Sequence, residues 1–169
     1  NATFHIDFAQ AFTQSKLEED EHHIEIPPGF GTGRLRETHV WNLLYSLYGL
    51  RIAPKVWRET LTGFLNEIGF RELESDPSLF VRESIFLAVF VDDILIAASQ
   101  DDVNKLQDEL ALRFKSEMEE CQFFLGLEIN RAGDSLKVSQ GRYITKLLQE
   151  VNMWGVFPKQ TPNFGPQRQ

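Results

Sequence analysis

Residues 86–98 read Phe-Leu-Ala-Val-Phe-Val-Asp-Asp-Ile-Leu-Ile-Ala-Ala, two apolar runs joined by the adjacent carboxylates of Asp92 and Asp93. Runs this short, rich in Val, Ile and Phe and closed by Ser99-Gln100-Asp101-Asp102, read as two buried strands. The carboxylate pair then sits at the tip of a hairpin. Asp is a frequent turn residue, and an ordinary tip would simply be solvated. Apolar walls of this length instead set the tip beside a sheet, where neighbouring carboxylates repel. Such a pair needs water or a divalent cation as partner. His5-Ile6-Asp7-Phe8 supplies a third carboxylate on another strand.

At 169 residues, 42% hydrophobic and with 14 Phe, the chain can bury a core and is the size of one domain. A net charge of -8 and a pI of 5.0 argue against binding nucleic acid through a global positive field. They leave room for a local basic track beside a carboxylate site. The single Cys121 excludes an intrachain disulfide framework and fits a reducing compartment. His22, His23 and His39 lack ligand spacing with Cys121, so no zinc site is read. No signal-peptide pattern is present, and no apolar run is long enough to span a membrane.

The chain opens inside a strand pattern, residues 1–8, as if continuing from something longer; Asp7 lies near its end. Residues 9–12 read as one helical turn and residues 15–21 as an acidic loop. Ile24 to Phe30 is a short strand stopped by Pro27 and Pro28. Gly31 to Thr38 reads as a polar loop, with no helix after Gly33 to make a phosphate-binding turn. Val40 to Leu44 is a strand, and the chain bends at Gly49. Pro54 suits the first turn of a helix from Ala53 to Ile68, ended by Gly69. Val56, Trp57, Leu61, Phe64, Leu65 and Ile68 recur at helical spacing as its buried face. Asp76-Pro77 turns the chain into a strand at Leu79 to Val81.

After the hairpin, Asp101 or Asp102 caps a helix to Phe114, striped by Val103, Leu106, Leu110 and Phe114. Lys115 to Glu120 reads as a charged turn and Phe123 to Ile129 as a strand. Arg131 to Asp134 is a hairpin turn and Ser135 to Val138 the returning strand. Ser139 caps a last helix from Gly141 to Val151, with Tyr143, Ile144, Leu147 and Leu148 inside. Beyond Trp154, three prolines mark an extended tail.

Strand, helix, strand, strand, helix, strand, with a hairpin and helix appended, predicts an α+β fold. Its antiparallel sheet carries helices on one face. The first strand can lie beside the central hairpin, about 5 Å away, facing Asp7 toward Asp92 and Asp93. Three carboxylates on rigid strands suit two Mg²⁺ ions about 4 Å apart, the chemistry of polymerases and nucleases. An acidic Ca²⁺-binding fold with structural carboxylates is a reading from another class.

Six stretches in order resemble the reverse transcriptase domain of copia-type retrotransposon polyproteins. They are Ile6-Asp7 with Ala11-Phe12; Ile26 to Phe30; Ser46 to Leu50 with Ala53-Pro54 and Trp57; Ser75-Asp76-Pro77; Phe90 to Ala97; and Phe124 to Ile129. Each alone is weak, but the order and spacing together are specific. The resemblance implies a ferredoxin-like polymerase palm in residues 1–121. Residues 122–155 would be a primer-grip hairpin and the start of the thumb, and 156–169 an extended tail.

Its implied roles are as follows. Asp7 and Asp92 ligate two Mg²⁺ ions, and Asp93 completes the triad less directly. The backbone carbonyl of Phe8 touches the nucleotide-bound metal. Phe12 packs under the incoming sugar and excludes a ribose 2′-OH. Tyr48 and Gly49 line the nucleotide and template side. Phe124, Leu125, Gly126, Leu127 and Glu128 grip the primer end. For Phe12, Tyr48 and Leu125 plain core packing is the other reading. The implied partners are an RNA or DNA template-primer, deoxynucleoside triphosphates, and the integrase and ribonuclease H of the same polyprotein. No membrane is involved, and the setting is a cytoplasmic virus-like particle or the nucleus. The chain departs from the family pattern at Ala9-Gln10 and Arg51-Ile52. It also lacks the family's basic fingers segment before Asp7. Lys115 stands nearest to a proton donor for the leaving pyrophosphate. A relic or domesticated fragment acting only as a binding module is the non-catalytic alternative.

Overall fold

The computed structural model describes residues 2–18, 22–30, 33–133 and 135–156. The chain forms two compact units, Asn1–Cys121 and Gln122–Gln169. The first runs β1 (Ala2–Phe8), a 3-10 turn (Ala11–Gln14), β2 (His23–Glu25), α1 (Gly33–Thr38), β3 (Val40–Asn42) and α2 (Ala53–Glu67). It continues through β4 (Arg71–Leu73), β5 (Asp76–Arg82), β6 (Ile85–Phe90), β7 (Asp93–Ala98), α3 (Gln100–Ala111) and β8 (Ser116–Glu120). The second holds β9 (Phe123–Phe124), β10 (Leu127–Ala132), β11 (Ser135–Ser139) and α4 (Gly141–Glu150).

Six strands of the first unit form one sheet in the order β4-β5-β6-β7-β1-β8, and every neighbouring pair is antiparallel. Alternation sorts β1 cleanly. Phe4, Ile6 and Phe8 are buried, while Thr3, His5 and Asp7 take the other face. The buried face meets α2 through Trp57, Leu61, Phe64 and Leu65, and α3 through Val103, Leu106 and Leu110. Phe114 closes the core edge-on, its ring centroid 5.5 Å from Phe8, 5.5 Å from Trp57 and 5.2 Å from Phe64. Such pairs add about 0.5–1.5 kcal/mol each beyond their burial. Gly69, at φ 92, ends α2 where a side chain would be strained. The fold is therefore α+β with an antiparallel sheet.

Several local expectations are corrected. Lys115 to Glu120 is not a charged turn. Ser116–Glu120 is an edge strand paired with β1, and its one apolar residue, Met118, packs against the core. Asp76 and Pro77 belong to β5 rather than to a turn, because an unforeseen strand, β4, precedes them. Asp76 accepts hydrogen bonds from the Ser78 amide and hydroxyl, which fixes the start of β5. Gly33–Thr38 is a short helix, held by Arg36 donating to the Ile26 carbonyl. The cap of α3 is Ser99, whose hydroxyl accepts from the Asp102 amide. A hydroxyl outside the helix can reach that orphan amide; the carboxylates of the first turn sit within the helix.

The second unit differs more. Phe123 to Ile129 is broken at Leu125 and Gly126, both at positive φ (49° and 79°), into the β9–β10 hairpin. Paired positive φ values are those of a tight hairpin tip. Gln140, not Ser139, precedes α4; the Ser139 hydroxyl donates to Glu128 instead. The apolar stripe of α4 is exposed: Tyr143, Ile144 and Leu147 are 56%, 52% and 41% accessible. The expected tail, from residue 157 onward, lies outside the described residues.

Candidate active site

Register decides where each carboxylate stands. Phe90 pairs with Asp93, so the two-residue tip of the β6–β7 hairpin is Val91-Asp92, and Asp93 is already in the strand. The expected Asp-Asp tip is thus split. Val91 takes φ 56, a left-handed conformation that a β-branched residue adopts only under constraint. Hairpin tips ordinarily give that position to Gly. Two bonds hold it. The Trp57 indole donates to the Val91 carbonyl at 2.6 Å, and the Phe8 amide donates to the Asp92 carbonyl at 3.4 Å.

Asp7 stands opposite Asp93 on β7 and opposite Glu117 on β8. Residues paired across strands share a face, so these three carboxylates form a row on the sheet face away from the helices. Like charges directly opposite are unfavourable. One is offset: Asp93 Oδ1 lies 2.8 Å from His5 Nε2. Glu117 was not foreseen, because β8 was not; the alternation of Ser116-Glu-Met-Glu119 was its faint signal.

The Tyr48 hydroxyl lies within the field of both Asp7 and Asp92. Partial desolvation of its hydroxyl, then the negative charge of Asp92, then that of Asp7, push its pKa up. Both carboxylates therefore act on one hydroxyl, which stays protonated and able to donate. Phe12 stacks on Tyr48 with ring centroids 4.7 Å apart, and it also packs against the core. Gly49, at φ 96, turns the chain just after Tyr48. The Phe8 side chain is core, leaving only its backbone toward the site. Gln14 ties the 3-10 turn to Lys115. Its amide donates to the Ala9 and Lys115 carbonyls, and its oxygen accepts from the Lys115 amide.

In the second unit, Leu125 is half exposed at the β9–β10 tip and Gly126 follows it. Glu128 is turned into its own unit, bonded to the Ser139 hydroxyl and paired with Arg142 at 3.2 Å. Phe124 and Leu127 pair across the hairpin.

Among the described residues, no group of three or more His, Cys, Asp or Glu side chains is set to hold a metal ion. Asp92 lies in the turn, and Asp93, opposite Asp7, is bonded to His5. As donors these carboxylates fit Mg²⁺ chemically. Asp7 and Asp92 offer hard carboxylate oxygens, and Mg²⁺ completes its shell with water and phosphate oxygens. Among the described residues no helix is long and apolar enough to cross a membrane.

Comparison with known proteins gives this geometry a context. The reverse transcriptase (RNA-dependent DNA polymerase) family matches residues 1–165. The chain is 38% and 39% identical to the retrovirus-related Pol polyproteins from transposons RE1 and RE2 of Arabidopsis thaliana. Each of those matches covers 93% of this chain and 11% of the polyprotein. It is 31% identical to the putative transposon Ty5-1 protein of Saccharomyces cerevisiae, over 93% of this chain and 53% of that protein. The chain thus spans about a tenth of the plant polyproteins and about half of the yeast protein. It belongs to the reverse transcriptase (RNA-dependent DNA polymerase) family, among the domains of copia-type retrotransposon Pol polyproteins.

Proposed function

We propose that this chain is the palm and the start of the thumb of an RNA-directed DNA polymerase that extends a primer with deoxynucleotides. Residues 1–121 are the palm, of the ferredoxin-like polymerase type, and residues 122–155 carry the primer grip and the beginning of the thumb. The observation that carries the reading is the setting of Asp7, at the end of β1 and opposite Asp93, beside the β6–β7 tip, where the Phe8 amide donates to the Asp92 carbonyl. Two acids from different elements converging at a tied hairpin tip make a site for hard cations and phosphate oxygens.

The reaction is attack of the primer 3′-OH on the α-phosphate of a deoxynucleoside triphosphate, with pyrophosphate leaving. Asp7 and Asp92 would hold two Mg²⁺ ions, whose chemistry when bound would be to activate the attacking oxygen and neutralise charge on the leaving one. The chain's own residues supply position, which carries much of phosphoryl transfer. The Phe8 carbonyl would touch the nucleotide-bound metal. Phe12, braced on Tyr48, stands beneath the sugar and rejects a 2′-OH by bulk. Tyr48 and Gly49 line the nucleotide and template side. Lys115, whose backbone is bonded to Gln14, would give a proton to the leaving pyrophosphate. Phe124 to Glu128 grip the primer end. The template-primer and the remainder of the polyprotein, with its integrase and ribonuclease H, are the partners. The setting is the cytoplasm, within a virus-like particle, or the nucleus.

The test is Mg²⁺-dependent primer extension by a longer chain that includes the upstream fingers segment, compared with its Asp92→Asn variant. Extension by the parent and at least a hundredfold loss in the variant are expected, as for removal of a charge-stabilising group. Equal extension by both proteins would exclude the site.

A further inference from the structure

Gln14 is the last residue of the 3-10 turn that carries Phe12. The β1–β8 ladder ends nearby: Phe8 pairs with Ser116, and the Ala9 amide donates to the Lys115 carbonyl at 3.0 Å. There the Gln14 carboxamide takes the place of a peptide group. Its Nε2 donates to the Ala9 carbonyl at 2.8 Å and to the Lys115 carbonyl at 3.1 Å. Its Oε1 accepts from the Lys115 amide at 2.7 Å. These partners fix which way the carboxamide points, since the reverse would set its oxygen against two carbonyl oxygens. An ionised glutamate has the same shape but only accepts, so it would repel both carbonyls. The other end of the turn is held separately, by the Gln10 carbonyl accepting from the Thr13 amide and hydroxyl. Between these two anchors lies Phe12, its ring centroid 4.7 Å from that of Tyr48. Phe12 is only half-buried against the core, so packing braces the ring on one side alone.

We propose that Gln14 is a positioning residue for sugar selection, its carboxamide clamping the turn and so fixing the Phe12 ring beneath the incoming nucleotide. The inference rests on the reading of Phe12 as a steric gate. A gate of this kind works only when its ring is held to within about 0.5 Å, because a ring that can recede admits the 2′-OH. Gln14 acts through the backbone of Ala9 and Lys115, and its effect reaches the sugar only through Phe12.

The test compares Gln14→Glu, Phe12→Ala and the double variant with their parent, a longer chain that includes the upstream fingers segment. The quantity read is the ratio of kcat/KM for ribonucleotides over deoxynucleotides. Gln14→Glu should raise it about tenfold, as displacement of a positioned group does. Gln14→Met, which keeps bulk and lacks the donors, should do the same and guards against misfolding of the charged variant. In Phe12→Ala, adding Gln14→Glu should change the ratio no further, since no ring remains to hold. No extension by the parent would overturn the polymerase reading, and an unchanged ratio in Phe12→Ala would overturn the gate; either takes the proposal with it. A raised ratio in Phe12→Ala beside an unchanged one in both Gln14 variants would overturn the proposal alone, whatever the fall in Tm. Full additivity of the two changes would also overturn it, because Gln14 would then act by another route. A second measurement needs no activity. In the chain itself, NMR contacts between the Phe12 and Tyr48 rings should weaken in Gln14→Glu while the β1–β7 ladder amides keep their shifts. Unaltered ring contacts in the folded variant would sink the proposal.

Discussion

Tyr48 reports on the site at the level of single atoms. Its pKa is raised by partial desolvation first, and then by Asp92 and Asp7. A tyrosine whose folded pKa lies above its unfolded value favours the fold fully below the unfolded value. That preference is lost as pH rises through the folded pKa. The ring is 57% exposed, so the effect on stability is small and the titration itself is the useful quantity. Asp92→Asn and Asp7→Asn should each lower the Tyr48 pKa, read by NMR titration of the ring. No shift in either variant would separate the two carboxylates. Phe12, stacked on Tyr48, has two readings with different consequences. As a core residue its truncation to Ala costs about 3–5 kcal/mol and leaves sugar choice untouched. As a steric gate, Phe12→Ala should raise the ratio of kcat/KM for ribonucleotides over deoxynucleotides in a longer parent with its fingers. Its partial packing on the core makes some loss of Tm expected in either case, so the ratio is the deciding measurement.

The tip of the β6–β7 hairpin is tied to α2 by one indole. Trp57 sits in the aromatic cluster of the core and donates to the Val91 carbonyl, coupling α2 to the tip. Trp57→Phe keeps an aromatic ring in the core but removes the donor and some volume. It should cost about 2–3 kcal/mol. With the tie gone, the strain at Val91 has less to oppose its release, so amide exchange should accelerate at residues 91–94 before it does in the centre of β1. Uniform acceleration across the sheet would mean that the indole contributes only packing. Elements like these were unevenly legible in the sequence. The β1 alternation, the α2 stripe and the neighbouring of β1 with the hairpin follow from apolar periodicity, which the core enforces. β8 was not legible, since an edge strand needs only Met118 on its inner face and carries charge elsewhere. The split of Asp92 from Asp93 depends on register, which turn geometry sets and which composition does not reveal. The β9–β10 tip hides for the same reason, inside an apolar run where Leu125 takes a conformation usually left to Gly. Asp7 could be placed near the hairpin from its strand end, whereas the diagonal bond from His5 to Asp93 needed the pairing itself.

At the scale of the whole chain, the two units are unequal in what they bury. The core cluster, from Phe4 to Phe114, lies entirely within residues 1–121. In the second unit Ile129 is the one buried hydrophobic side chain among the described residues. The rest of its order comes from the β9–β10–β11 ladder and the Arg142–Glu128 pair, whose arginine is largely exposed. The α4 stripe of Tyr143, Ile144 and Leu147 is apolar surface without internal use in its own unit. Residues 1–121 alone should therefore give a cooperative thermal melt with mixed helix and strand circular dichroism. A peptide of residues 122–169 should show little ordered structure at the same temperature. A ten-residue α4 is too short to stand alone in water, because nucleation is costly and few hydrogen bonds follow it. A cooperative transition in the isolated peptide would mean that its ladder contributes more than its buried area allows. A non-cooperative melt of residues 1–121 would mean that the core of the first unit depends on residues beyond Cys121.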